Sequence, residues 1–212
     1  MVQDPIDLVG RAQPLQVSLA RMRRKHLRAV LAIERSSYLA PWSMNVFASE
    51  LAQVSSRHYI VSLDRRSVIG YAGLMVIDSE EAHINTITVA EPFRRRGVGT
   101  VMLLELVREA IERGVNNLTL EVRASNTEAQ SLYRRFGFIP VGVRRGYYRE
   151  DGEDAMIMWA TGIREPDYLD RLAFIEHRTF VPFPWKLIGG GEGGEGEGGE
   201  GEGCGGPGGG VT

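Results

Sequence analysis

A chain of 212 residues is long enough for one domain with a sizeable core and short for two. Its net charge of −2 sets up no strong general field toward nucleic acid or a membrane surface. Cys204 is its only cysteine, which excludes an internal disulfide and a cysteine-clustered metal site.

Residues 1–14 read as a loose leader, with Pro5 and Pro14 and no periodicity. They hold no apolar run of signal-peptide length, and no stretch of the chain approaches the roughly 20 apolar residues of a membrane helix. The expectation is a soluble, cytoplasmic protein, and a reducing cytoplasm suits a chain without a staple. A first strand is expected at 15–22. Leu27, Val30, Leu31 and Ile33 then recur at helical spacing within 24–38. A second helix is expected at 43–53 with Ser43 as its N-cap. Two strands follow as a hairpin around Arg65 and Arg66, and a fourth strand runs over 82–90. The long helix from Gly97 closes at Gly114. A fifth strand occupies 117–122. The next helix opens on a capping box, Ser125 with Glu128, and closes at Gly137. A final hairpin turns across Asp151 and Gly152. Strands and helices in alternation predict an α/β fold. Residues 163–188 form an extension of unknown role, expected as a short docked helix and then an extended arm. Residues 189–212, rich in Gly and Glu, have almost no apolar surface to bury and are expected to be disordered.

The stretch "EPFRRRGVGT" sits at the junction of the fourth strand and the long helix. A helix N-terminus presents unpaired N–H groups and partial positive charge, which favours phosphate. Gly97 and Gly99 allow close backbone approach, and Arg94, Arg95 and Arg96 add charge, so the pieces suit a pyrophosphate. The stretch lacks the Lys-Ser/Thr of a P-loop and the third glycine of the dinucleotide fingerprint. Alone, it also fits a tight turn with solvated arginines. In "LTLEV", alternation puts Leu118, Leu120 and Val122 on one face and Thr119 and Glu121 on the other. Glu121 then either faces solvent, pairs with Arg123 or Arg145, or does chemistry. His83 is within reach of a cleft but also fits a structural histidine, and no histidines are spaced as zinc ligands. The basic run 21–25 fits a solvated helix start or an RNA contact.

Residues 15–162 resemble the GNAT acetyltransferase superfamily. "FRRRGVGTVMLLELVREA" is similar to its acetyl-CoA pyrophosphate motif, and "LTLEVRASNTEAQSLYRRFGF" to its second strand–helix motif. "APWS", "LEVRASN", "LYRRFGF", "RRGYY" and "EDAMIMW" resemble the RimI-like group, which acetylates protein N-termini. The resemblance implies a mixed, twisted central sheet of about seven strands flanked by about four helices, with acetyl-CoA between splayed strands four and five. The pyrophosphate would lie on the backbone of Arg94, Arg95, Arg96, Gly97, Val98, Gly99 and Thr100. The pantetheine would pair with Ile87, Thr88 and Val89, and Asn126 would contact the cosubstrate or only cap its helix. It implies Glu121 as general base, Tyr133 as general acid, and no metal. The turn with Pro41 and Trp42 and the hairpin with Tyr147 and Tyr148 would meet the substrate. That substrate would be the N-terminal alanine of a small-subunit ribosomal protein, with no membrane and no nucleic acid required. A small-amine acetyltransferase and a non-catalytic acyl-CoA-binding module are the alternatives.

Overall fold

The structure, a computed structural model, describes residues 15–179 and 187–188. The leader at 1–14, the Gly/Glu tail with Cys204, and most of the arm before it lie outside the described residues.

One mixed sheet organises the fold. Its strands are β1 (Val17–Arg21), β2 (Arg57–Asp64), β3 (Ser67–Val76), β4 (Glu81–Val89), β5 (Asn117–Arg123), β6 (Ile139–Tyr148), β7 (Glu153–Thr161) and the two-residue β8 (Leu187–Ile188). Their order is β6-β7-β5-β4-β3-β2-β1-β8. Among the described residues only β4–β5 and β1–β8 pair in parallel. Among the described residues five α-helices cover the two faces: α1 (Leu27–Ser37), α2 (Met44–Ala52), α3 (Val98–Glu112), α4 (Thr127–Arg135) and α5 (Pro166–His177). The fifth helix and the two-residue strand exceed the expected seven strands and four helices.

Alternation along the strands sorts apolar side chains to both faces, so each face builds its own core. Leu103, Leu104, Leu106 and Val107 of α3 pack with Leu118, Leu120 and Val122 of β5 on one side. Val30, Leu31 and Ile33 of α1 and Phe47 of α2 pack with Tyr59, Val61 and Tyr71 on the other. On that second side, buried Glu34 accepts hydrogen bonds from Tyr71 Oη and from Trp42 N at 2.8 Å. Burial raises the Glu34 carboxyl above its ordinary range. The Trp42 ring lies tilted against Phe47, centroids 5.3 Å apart, so it packs against this core.

Ser43 caps α2 by accepting from Val46 N at 3.3 Å. The capping box expected at Ser125 is not formed. The N-cap of α4 is Asn126, whose Oδ1 accepts from Ala129 N at 3.0 Å. Glu128 turns away to Arg95, Nη1 to Oε1 at 2.9 Å. Asn126 thus serves Ala129 N, one residue beyond the amide that a Ser125 cap would serve, while Ser125 N is taken by Glu153 Oε1. Gly114 and Gly137 end α3 and α4 at φ +83° and +84°, a conformation that side chains resist.

Candidate functional site

The pairing of β4 with β5 lasts three rungs: Glu81 with Asn117, Ala82 with Leu118, and His83 with Thr119. Beyond His83 the two strands diverge. The edge of β4 that faces β5 is left without a strand, while its other edge stays bonded to β3 as far as Val89. Ile87, Thr88 and Val89 lie on that open stretch. Thr88 is buried, and its hydroxyl meets Tyr38 Oη at 2.8 Å and Thr86 Oγ1 at 3.3 Å. A β-bulge near Asn85 turns Ile87 and Val89 toward the α3 core and Thr88 toward α1.

The open edge leads to the start of α3. Gly97 is the N-cap at φ 83° and ψ −5°, in the left-handed region, and Arg95 precedes it at φ 61°. Among the described residues no backbone acceptor takes the N–H groups of Arg95, Arg96, Gly97, Val98, Gly99 and Thr100; the first helical bond is Val101 N to Gly97 O at 3.1 Å. Six consecutive amides at the positive end of a 15-residue helix are a surface for an anion. The three arginines are exposed and spread around this turn. Arg94 Nε donates to Val89 O at 3.1 Å, Arg95 pairs with Glu128, and Arg96 lies 5.9 Å from the Phe93 ring. The sequence did not single out Arg135, which reaches back from α4 to Thr100 Oγ1 at 2.8 Å.

Glu121 stands inside the divergence, on the face opposite Leu120 and Val122. Its side chain is 10% exposed. Oε2 is 3.0 Å from His83 Nε2, and Oε1 is 3.3 Å from Arg144 Nη1. The hydrogen bond from His83 lowers the Glu121 pKa, against the opposing effect of burial, and the electrostatic influence of His83 and of Arg144 adds to that. Glu121 is therefore a carboxylate at neutral pH. The arginines expected beside it are elsewhere. Arg123 pairs with Glu150, Asp151 and Glu153, each at 2.7 Å, so Arg144 takes that place and not Arg145.

Tyr133 of α4 is buried against Phe138, with ring centroids 5.8 Å apart. Burial, reinforced by Tyr38 and Tyr148, raises its pKa above that of free tyrosine, so the phenol keeps its proton through neutral and mildly alkaline pH. Asn126 is exposed and caps α4. Tyr148 lies under Arg123, 3.9 Å from ring centroid to guanidinium carbon, and Tyr147 stands exposed near Arg144. Among the described residues no three His, Cys, Asp or Glu side chains are grouped to hold a metal ion. No described helix is long and apolar enough to cross a membrane.

The structure thus brings Glu121, His83, Arg144 and Tyr147 to one side of the diverging strands, and the glycine turn to their far end. His83 and Arg144 were not legible as partners of Glu121, because their contact depends on the parallel register and on the path of β6. A period-two reading of both strands places His83 and Glu121 on like faces but does not say that β4 and β5 are neighbours.

The sequence matches the family described as acetyltransferase (GNAT) over residues 27–138. A relative from Bacillus subtilis (strain 168) is 35% identical over 146 residues, 69% of this chain and 96% of its own. The [ribosomal protein bS18]-alanine N-acetyltransferase of Escherichia coli (strain K12) is 34% identical over 66% of this chain and 95% of its own. The crystal structure of the ribosomal-protein-S18-alanine N-acetyltransferase from Escherichia coli superposes with a TM-score of 0.63, covering 69% of this chain and 94% of that one at 34% identity.

Proposed function

The chain belongs to the GNAT acetyltransferase family, and from that premise we propose that it transfers the acetyl group of acetyl-CoA to the N-terminal α-amine of a protein. The substrate that its relatives' names support is the N-terminal alanine of a ribosomal protein of the bS18 type. Such a substrate implies a cytoplasmic enzyme that needs no membrane and no direct contact with nucleic acid.

Acetyl-CoA fits the residues present. The six unsatisfied amides from Arg95 to Thr100 suit its diphosphate, with Arg94, Arg135 and the helix end supplying positive charge. The open edge at Ile87, Thr88 and Val89 offers backbone groups to its amides, and Asn126 lies at the start of the neighbouring helix. Bound there, acetyl-CoA supplies an activated acyl carbon with a thiolate leaving group. The chain supplies the rest. Glu121 takes one proton from the incoming ammonium, directly or across one water; the amine nitrogen bonds to the acyl carbon as the carbon–sulfur bond breaks, and the second amine proton, released as the amide forms, replaces the one that Tyr133 gives to sulfur. Tyr133 donates a hydrogen bond, then its proton, to the departing sulfur. A raised phenol pKa makes this a late transfer, so stabilising the thiolate is the larger part of the role. An α-amine, with a pKa of about 8, is easier to neutralise than lysine at about 10.4, which fits a weakly basic carboxylate. Tyr147 and Arg144 border the side from which a peptide end would enter.

The observation that carries this reading is the carboxylate of Glu121, ionised and mostly buried where β4 and β5 part. The test is a panel of short peptides with different N-termini, beside polyamines and aminoglycosides, incubated with acetyl-CoA and weighed by mass spectrometry. An acetyl group gained by alanine-initiated peptides is expected. Acetylation of small amines alone, or acetyl-CoA binding without turnover, would replace the reading with one of its rivals.

A further inference from the structure

The basic run at 21–25 has no part in the mechanism above. In the structure it leaves the end of β1 and forms a single 3₁₀ turn, Arg24–His26, before α1 begins. Arg23, Arg24, Lys25 and Arg28 are exposed. Among the described residues no carboxylate pairs with Arg24, Lys25 or Arg28. None is close in sequence either, since no Asp or Glu stands between Asp7 and Glu34. Glu50 lines a shallow cavity with Arg21, Arg23 and Arg57, but Arg57 Nε takes its charge at 2.8 Å. His26 registers the positive field. Burial first, and then Lys25 and Arg23, lower its pKa, and its Nδ1 accepts from Arg23 N at 3.1 Å as a neutral ring can. Like charges gathered in one corner repel, and an anion placed among them relieves that repulsion.

The chain itself carries an anion to this corner. β8 pairs in parallel with β1, Leu187 beside Leu19 and Ile188 beside Ala20. The backbone therefore leaves β8 in the direction in which β1 runs, toward Arg21 and the 3₁₀ turn. Residues 189–212 hold Glu192, Glu195, Glu197, Glu200 and Glu202 and no Lys or Arg. The step from Ile188 to Glu192 spans at most roughly 14 Å. A glycine-rich chain of n residues extends by about 5–6 Å × √n, so all five carboxylates have the corner within reach. The glycine turn, with its own three arginines, lies at the opposite end of the sheet. Antiparallel pairing from β1 through β4 puts the end of β1 beside the start of β4, and the glycine turn follows the end of β4.

We propose that the acidic segment 189–204 docks in cis on Arg23, Arg24, Lys25 and Arg28, so that the chain covers its own cationic corner. Single exposed ion pairs are weak. The tether offsets this, because a short linker presents its charges at an effective concentration of about millimolar. The contact is sensitive to salt, since the Debye length falls from about 10 Å at 0.1 M to about 3 Å at 1 M.

Cys204, the only cysteine, gives the test its probe. A nitroxide on its thiol broadens the amide NMR signals that it approaches. The reference is a tail carrying Glu192→Gln, Glu195→Gln, Glu197→Gln, Glu200→Gln and Glu202→Gln, which keeps length and tether and removes only charge. At low salt, broadening at residues 23–28 should be at least about twofold stronger with the glutamates than in the reference. The excess should vanish at about 1 M salt. It should also vanish in the chain with Arg24→Gln, Lys25→Gln and Arg28→Gln, whose thermal melt checks that it folds. Equal broadening with both tails overturns the proposal, as does charge-dependent broadening at residues 94–96 in place of 23–28. Mixing spin-labelled chain with ¹⁵N-labelled chain that lacks the nitroxide separates the copies. Broadening at 23–28 in that mixture assigns the corner to a second copy and overturns docking in cis. Poly(U) that shifts the 23–28 amides at equal concentrations with either tail marks the corner as a seat for RNA and overturns it too.

Discussion

Glu121 was readable as an exception: a carboxylate between Leu120 and Val122 in the middle of a mostly apolar strand is costly unless something holds it. What holds it was not readable, since His83 lies 38 positions earlier and Arg144 approaches on a strand whose course is set by bulges. Glu121→Gln keeps the shape and a weaker hydrogen bond to His83. It is expected to lower kcat/KM by about 10²–10³ while leaving acetyl-CoA affinity nearly unchanged, as measured by stopped-assay kinetics beside calorimetric titration. An equal loss in both would move the residue from chemistry to binding. The two glycines divide in a way the sequence did not show. Gly97 is needed for its backbone angle, and a side chain there costs roughly 1–2 kcal/mol of strain. At Gly99 an added Cβ would meet only Leu132 at 3.5 Å and Val89 at 3.9 Å, ordinary contacts. Gly99→Ala should therefore keep the wild-type melting temperature, and any loss of acetyl-CoA affinity in that variant reports crowding of the ligand. Gly97→Ala should lose stability and affinity together.

Elements were the most legible level wherever a local signal marked their ends. Ser43, Gly114 and Gly137 act as those residue types do at helix ends, and alternation found the strands. The failure at Ser125 is instructive because the capping box needs a free Ser backbone, and Glu153 from the far hairpin takes it. A tertiary contact overrode a sound local pattern. Asn126→Ala should therefore cost about 1 kcal/mol of stability, as the loss of an N-cap does, whereas Ser125→Ala should cost clearly less. Equal costs in denaturant unfolding would restore the capping box. Helix α5 carried no legible job, because its sequence mixes exposed Leu169 and Phe174 with buried Tyr168 and Leu172. The two buried side chains join the core under α3 and α4, and Tyr168 packs where a side chain at Gly137 would stand. Leu172→Ala should then cost about 2–4 kcal/mol, a core-sized penalty from a segment beyond the family match.

At the scale of the whole molecule, neither the strand order nor the pairs that tie one layer to another follow from periodicity. The parallel neighbours β4 and β5 came only from resemblance, and the link between β2 and α3 came from nothing in the sequence. That link is His58, buried on β2, with Nδ1 3.0 Å from Glu109 Oε1 of α3. Burial alone would raise the Glu109 carboxyl. The hydrogen bonds and charges of His58 and Arg113 outweigh it and hold the pKa at about 2. The folded value is thus below the unfolded one, near 4.5, so the folded state binds this proton less tightly. The contribution is complete above about pH 4.5 and disappears as pH falls from there to about 2. Because Glu109 keeps some contact with solvent, screening reduces it to roughly 1–2 kcal/mol. Denaturant unfolding between pH 6 and pH 2 should show stability declining through that window, and the carboxyl ¹³C signal of Glu109 should titrate near its low end. A Glu109 midpoint close to 4.5 would mean that the sheet and its longest helix are joined by packing alone, since an ion pair that stabilises the folded state must depress the carboxylate it uses.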